Sequence, residues 1–294
     1  MASLTSIPEL VMNEILKNLN FREVQTLRKV CHHLRKFIGD HKPDAKIGSI
    51  YLNIHDKDIL VDYGNQNVVE YRHRGSNKYF LATKKILRYP NYVERFLKDF
   101  EIISRFQSSA LNLLSLSMEQ NANDNYSKTL ELLAAVSNSR KPLLKTKKLE
   151  MDVLDQHQLL SILRCLDSNV LNAIEIRDPL SRHDSEPMES EEIVKSDQWM
   201  NSKEVWISSR RFPFRPENFQ HFSRVTVFVD RLHAEQLEDV KKDKIPIFMN
   251  LILKSQQLIR KTEDAVRHIH LRVDDTPTDW QSTTDPDWLR VETP

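Results

Sequence analysis

The chain has 294 residues, and 43 lysines and arginines oppose 42 aspartates and glutamates, which leaves a net charge of +1. This length allows two domains, or one small module and one larger unit. The balanced charge produces no overall electrostatic field that would attract nucleic acid or a membrane. No apolar run approaches the roughly 20 residues that span a bilayer, so we expect no membrane segment.

Cysteine and glycine usage narrow the class of protein further. Cys31 and Cys165 lie in apolar helical patterns, which predicts reduced core residues rather than a disulfide. All four glycines lie within the first 75 residues, so the later chain lacks the glycine-rich loops that cradle nucleotides. We therefore expect no cofactor. Neither end carries a recognisable targeting or lipidation signal, which predicts a cytoplasmic or nuclear protein.

The chain opens with two helix-start signals. Ser6 and Glu9 have the spacing of a capping box, with Pro8 in the predicted first turn. Asn20 and Glu23 repeat that spacing and predict a second start. Apolar residues then recur at steps of three and four as far as Ile38, which predicts two or three short helices.

These helices are apolar on more than one side, yet about forty residues are too few to bury such a surface alone. The pattern predicts docking on the rest of the chain or on another protein.

The segment from Ile7 to Ile38 resembles an F-box, and residues 27–38 resemble the F-box A proteins of nematodes. Leu34 departs from the pattern, since many F-boxes carry tryptophan there. The resemblance implies that the apolar face binds the Skp-type adaptor of a cullin-based ubiquitin ligase. The contacts that it implies are Pro8, Leu10, Ile15, Leu16, Leu19, Val24, Leu27, Val30 and Cys31. The alternative is a helical subdomain that packs inward.

The next segment is rich in branched and aromatic residues. Residues 50–54, 59–63 and 68–71 read as three short strands, and polar turn signals separate them. They predict a small antiparallel meander. Apolar residues at helical spacing then predict a helix from Tyr92 to Phe106.

Beyond residue 105, strand-like and helix-like segments alternate. The predicted strands are 111–116, 148–151, 173–176, 204–207, 224–229 and 269–273, and the predicted helices are 129–137, 155–166 and 234–241. Strands joined through helices favour a parallel sheet. The irregular spacing predicts a degenerate leucine-rich-repeat-like α/β solenoid, so the fold class is mixed α/β.

This half also resembles the FTH-type domain that follows the F-box in the nematode family. The resemblance rests on the order of five segments: 159–163, 171–176, 197–199, 202–207 and 218–222. It implies a protein-recognition module without catalytic residues. The domain limits are then 1–45 for the F-box, 46–275 for the FTH-type domain and 276–294 for a polar, flexible tail.

Three further features have an ordinary structural interpretation. Trp199 and Trp206 flank a helix–strand joint and are expected to anchor the core, although one could line a substrate surface. The basic and aromatic run Arg210–Arg215 could contact single-stranded RNA, but a packed loop fits better. His268 and His270 share a strand face without further ligands, so we expect no metal site.

These observations favour a non-catalytic, substrate-recognition subunit of a Skp-cullin-F-box ubiquitin ligase. Its partners would be the Skp-type adaptor, a cullin reached through that adaptor, and an unknown protein substrate. One alternative is an adaptor-independent scaffold, for example one that binds an RNA-binding protein. The other is an enzyme with an unrecognised site, which would require a cleft with buried titratable groups.

Overall fold

The computed structural model describes the backbone of residues 7–64, 68–74, 85–119, 122–138, 143–179, 187–209, 212–213, 215–229, 249–253 and 267–271. Side chains are described in these ranges except for residues 216, 228–229, 249–253 and 267–271. The predicted helix 234–241 and the predicted tail 276–294 lie outside the described residues.

Three short helices open the chain: α1 (Glu9–Asn18), α2 (Phe21–Val30) and α3 (His32–His41). The predicted capping box of α2 is confirmed. The Asn20 side chain accepts a hydrogen bond from the backbone N–H of Glu23 at 3.0 Å, and the Glu23 carboxylate accepts one from the N–H of Asn20 at 2.8 Å.

The start of α1 differs from its prediction. Pro8 is the N-cap rather than a first-turn residue, and it makes no side-chain cap hydrogen bond. The Glu9 carboxylate contacts the His41 ring at the far end of α3, at 2.8 Å. The predicted capping box needs Ser6, which lies outside the described residues, so the box stays a prediction.

Cys31 separates α2 from α3. Its backbone is extended, with φ −157° and ψ 165°, and its sulfur accepts the backbone N–H of Leu34 at 3.5 Å. The apolar series that continues from Val24 to Ile38 is therefore divided between two helices. Five side chains of the three helices are buried and belong to the hydrophobic core: Met12, Leu16, Val24, Leu34 and Ile38.

The predicted meander is confirmed as β1 (Ser49–Ile54), β2 (Asp58–Asp62) and β3 (Val68–His73), paired antiparallel in that order. A fourth strand, β4 (Lys85–Tyr89), pairs parallel with β3 and was not predicted. The helix α4 has the predicted bounds, Tyr92–Phe106.

The rest of the chain alternates between strands and helices, as predicted. The elements are β5 (Leu113–Met118), α5 (Asn123–Asn138), β6 (Lys148–Asp152), α6 (Gln156–Leu163), β7 (Ala173–Arg177), α7 (Glu191–Val194), α8 (Asp197–Asn201), β8 (Glu204–Ile207), β9 (Arg224–Val229), β10 (Met249–Leu253) and β11 (Arg267–Leu271). Strand β5 begins two residues later than predicted, β11 lies two residues earlier, and β10 was not predicted.

The eleven strands of the described ranges form one sheet in the order β11-β10-β9-β8-β7-β6-β5-β1-β2-β3-β4. Strand β1 pairs parallel with β5, and each strand from β5 to β9 pairs parallel with the next. Strand β11 closes the sheet antiparallel. The fold is mixed α/β with a large, mostly parallel sheet, and the solenoid interpretation stays a prediction.

Alternate residues of the central strands are buried, which is the pattern of a sheet with one face covered by helices. In β7, for example, Ile174 and Ile176 are buried while Glu175 is half-buried on the opposite side. On the covered side of β3, the Tyr71 ring packs edge-on against Phe96 of α4, with centroids 5.6 Å apart.

The N-terminal helices are joined to the sheet through the end of α4. The Phe106 ring lies 6.3 Å from Phe21 in an edge-on contact, and the Arg28 guanidinium lies 5.1 Å from its centroid. The next residue, Gln107, accepts the Ile47 N–H at 3.1 Å and donates to the Ile47 carbonyl at 3.0 Å. The short connection between α3 and β1 is therefore hydrogen-bonded to the sheet domain.

The two tryptophans of the helix–strand joint differ in burial. Trp199 has no exposed surface, and its indole N–H donates to the Asn218 carbonyl at 3.1 Å. Three rings pack within 6 Å of it: Phe212, Phe219 and Phe222. Trp206 is 48% exposed. The core prediction is therefore confirmed for Trp199 and wrong for Trp206.

We expect Trp199→Ala to lower the free energy of unfolding by about 3–5 kcal/mol, because it leaves a cavity among aromatic rings and an unpaired carbonyl. Trp206→Ala should cost less than about 1 kcal/mol. Urea denaturation of both variants measures the difference. Equal losses would contradict the burial assigned to the two side chains.

Candidate functional site

A groove between α1 and α2 opens on the outside of the N-terminal helices. Its volume is about 640 Å³. It is lined by Met12, Ile15, Leu19, Asn20, Arg22, Glu23, Thr26, Leu27 and Leu34. The floor is apolar and the polar residues come from α2 and the turn before it. An apolar centre with a polar margin is the usual composition of a protein–protein contact.

Four of the nine predicted contact residues are exposed. Pro8 is exposed at the start of α1, Leu10 is 80% exposed, Ile15 is 36% exposed, and Val30 at the end of α2 is 58% exposed. Leu10 lies roughly 140° around α1 from Ile15, at 100° per residue. The exposed apolar surface therefore continues around α1 beyond the groove, so a partner could contact two sides of this helix.

Three of the predicted contact residues are partly buried. Leu19, Leu27 and Cys31 pack against the helix core. Leu19 and Leu27 also line the groove from its two walls, so a partner side chain in the groove would contact them.

Leu16 and Val24 require a correction. Each is only 2% exposed and belongs to the buried hydrophobic core. Neither side chain offers surface to a partner in this conformation, so we assign them to holding the helices together. The pattern of apolar residues could not separate them from the exposed positions, because helix periodicity does not say which side packs on a neighbouring helix.

The sequence analysis missed the polar wall of the groove. Arg22 and Thr26 lie four residues apart on α2, and the exposed Val30 follows at the same spacing. Residues at this spacing share one face of a helix. That spacing is visible in the sequence, but Arg22 and Thr26 are polar and so do not belong to the apolar series that predicts the helices.

An ion pair connects the start of α1 to the end of α3. The His41 Nε2 lies 2.8 Å from the Glu9 carboxylate, and its Nδ1 lies 2.9 Å from the Phe37 carbonyl oxygen. Both neighbours accept hydrogen bonds, and only the protonated ring donates from both nitrogens. The bond to Glu9 first, and then the Phe37 carbonyl, raise the pKa of His41.

The second candidate surface is the side of β1 and β5–β8 that is turned away from the helices; we call it the open face. One row of directly paired residues crosses it: Tyr51, Ser115, Glu150, Glu175 and Trp206. The two aromatic residues at the ends are exposed, Tyr51 by 40% and Trp206 by 48%. The two carboxylates between them are mostly buried.

Basic side chains bridge the carboxylates of the open face. The Lys148 ammonium lies 2.7 Å from Glu150 and 2.8 Å from Glu175. Arg177 lies 3.0 Å from Asp152 and 3.6 Å from Glu150. Burial alone would lower the pKa of Lys148, but its bonds to the two glutamates outweigh burial and raise that pKa.

Asp152 ties this network to the next strand. One carboxylate oxygen accepts the backbone N–H of Met118 at 2.8 Å, and the other faces Arg177. Burial raises the pKa of Asp152 despite these two stabilising contacts. The network therefore cross-links β5, β6 and β7 on the open side of the sheet.

Two ordinary interpretations from the sequence can be compared with the structure. Phe212, from the basic and aromatic run, is buried and stacks on Trp199 at 5.6 Å, whereas residues 210, 211 and 214 lie outside the described residues. The side chains of His268 and His270 also lie outside them. Among the side chains that the structure describes, no three His, Cys, Asp or Glu residues are grouped to hold a metal ion.

Two family models match the chain. The F-box domain model covers residues 4–46, which include the three helices and the groove. The chain therefore carries an N-terminal F-box domain. The FTH domain model covers residues 127–263, so an FTH domain follows the F-box, an order that matches an F-box/FTH family protein. No curated protein matches the chain. None of the helices that the structure describes is long and apolar enough to cross a membrane.

The His41 contact generates a pH prediction. The pKa of His41 is higher in the folded state than in the unfolded chain. The ion pair therefore stabilises the fold below about pH 6.5, and this stabilisation is lost as the pH rises through the folded-state pKa of His41. An NMR titration of the His41 ring should give a pKa above about 6.5, and Glu9→Gln should lower it. Glu14→Gln is the matched control, since Glu14 pairs with Lys17. An unchanged pKa in Glu9→Gln would contradict the contact.

Proposed function

We propose that this protein is the substrate-recognition subunit of a Skp-cullin-F-box ubiquitin ligase. Its F-box docks on a Skp-type adaptor and reaches a cullin through it, and its second domain binds a protein substrate for ubiquitin-dependent degradation. The observation that carries the proposal is the F-box match over helices that expose an apolar groove. The sequence resemblance to nematode F-box A proteins supports the same assignment.

The adaptor surface is proposed as the groove and its surroundings. Pro8, Leu10, Ile15, Leu19, Leu27, Val30 and Cys31 are the proposed contacts. An exposed apolar surface of this kind usually marks an interaction site in a soluble protein. Leu16 and Val24 support these contacts from below by packing the helices together.

The second domain acts by proximity. A bound substrate would be held near the ligase, which raises its effective concentration, while other subunits form the isopeptide bond. The protein itself is then non-catalytic. We propose that it works in the cytoplasm or nucleus, where that machinery acts.

The proposed domain limits are 1–45, 46–275 and 276–294. The F-box match at 4–46 supports the first limit. The sheet supports a second domain that begins well before the FTH match at 127, because β1, which starts at Ser49, pairs with β5 in the same sheet.

A double variant, Ile15→Asp with Val30→Asp, tests adaptor docking. Both side chains are exposed, so the helices should still fold, whereas binding would bury two unpaired carboxylates. Each costs several kcal/mol, so affinity for a purified Skp-type adaptor should fall at least about 100-fold. Isothermal titration calorimetry with the full chain measures this change.

Met200→Asp is the matched control, because Met200 is 51% exposed on α8, outside the F-box. It should bind the adaptor like the parent. Leu16→Asp is unsuitable as a test, since it places a charge in the helix core. An unchanged affinity in the double variant would refute the docking surface. If the double variant loses adaptor binding but the cellular level of the protein bound by the second domain does not rise, the adaptor-independent scaffold is favoured.

A further inference from the structure

The open face has a chemical character that points to its ligand. Its two exposed aromatic rings each stand directly opposite a carboxylate on the neighbouring strand. Tyr51 pairs with Asp62 of β2, and Trp206 pairs with Glu175 of β7. An aromatic face next to a carboxylate attracts a cationic side chain twice, through the ring quadrupole and through charge.

The charged side chains of the face include more carboxylates than basic groups. On strands β1 and β5–β8, four carboxylates stand against two basic groups, although the entire chain is slightly positive. The carboxylates are Glu150, Asp152, Glu175 and Glu204, and the basic groups are Lys148 and Arg177. Arg224 of β9 lies 3.2 Å from Glu204, and carboxylates are still in excess.

The distance between the two aromatic rings sets the length of peptide that can contact both. Tyr51 and Trp206 lie four strand spacings apart, which is about 19 Å at about 4.8 Å per strand. An extended peptide rises about 3.3 Å per residue, so about six residues would span the two rings. Between the two rings lie the buried Ser115 and the two glutamates that Lys148 bridges.

The ligand-facing groups are held in place before binding. Glu150 and Glu175 are each 17% exposed at the side chain, and Lys148 fixes both. Trp206 lies between the buried Val205 and Ile207 on a short strand paired on both sides. Binding would therefore cost little side-chain ordering on this surface.

We infer that the open face binds an extended segment of the protein substrate that carries two arginines or lysines about six residues apart, one over Tyr51 and one over Trp206. This inference rests on the proposed function, since it names the chemistry of the substrate held by the second domain. It concerns a surface separate from the adaptor groove.

The test uses the full chain and a fluorescein-labelled peptide with two arginines separated by five serine or threonine residues. Fluorescence anisotropy should show saturable binding that weakens as salt is raised. The same peptide with glutamates in place of the arginines should not bind. A peptide with adjacent arginines should bind more weakly, because it cannot reach both rings.

Trp206→Ala and Tyr51→Ala should each weaken binding about threefold, and the double variant about tenfold, as expected for exposed cation–π contacts. Met200→Ala is the control, and it should bind like the parent. The inference is overturned if the spaced arginine peptide does not bind, if the glutamate peptide binds equally well, or if the double variant binds like the parent.

Adaptor binding is measured in parallel on the same variants. Trp206→Ala should bind the Skp-type adaptor normally, because Trp206 lies on the sheet and not on the F-box. Peptide binding without adaptor binding would refute the proposed function and leave the open face as a basic-peptide site. Adaptor binding without peptide binding would refute only the inference about the open face.

Discussion

The contact of Phe106 with the F-box helices is the interaction on which the rest of the account depends. The ring meets Phe21 and Arg28, while the Phe106 carbonyl accepts the Ala45 N–H at 2.7 Å. Asp44 adds two hydrogen bonds from the backbone N–H groups of Ser108 and Ser109. The proposed function needs a defined spacing between the adaptor surface and the substrate surface, and these contacts would hold that spacing.

The two candidate surfaces differ in their physical chemistry. The F-box surface is an apolar groove with exposed aliphatic residues, which suits a helical partner and the hydrophobic effect. The open face is a twisted sheet with fixed charges and two exposed rings, which suits an extended polar segment. The proposed division of labour follows from this difference, because each surface would be a poor site for the other's partner.

The elements that the sequence predicted well have strong local signals. Helix α4 has an apolar stripe, and its cap Asn91 accepts the Glu94 N–H at 3.1 Å. The predicted start of β5 was two residues too early because the apolar run already begins at Leu111. That residue forms only an isolated bridge with Thr146. Strand β4 was missed because it is an edge strand with charged Lys85 and Arg88 exposed.

The site was harder to predict than the fold. The F-box helices were predicted from their pattern, but the pattern could not show that Leu16 and Val24 pack inward while Leu10 and Val30 face outward. The open face was invisible for a related reason. More than a hundred residues separate Tyr51 from Trp206 in the sequence. Only the strand register brings these two residues and Glu175 into one row.

Hydrogen–deuterium exchange of the full chain, with and without a purified Skp-type adaptor, tests the central claim most directly. We expect slower amide exchange in α1 and α2 when the adaptor is bound, with unchanged exchange in β6, β7 and β8. No protection in the two helices, or protection confined to the sheet, would contradict the assignment of the groove as the docking site.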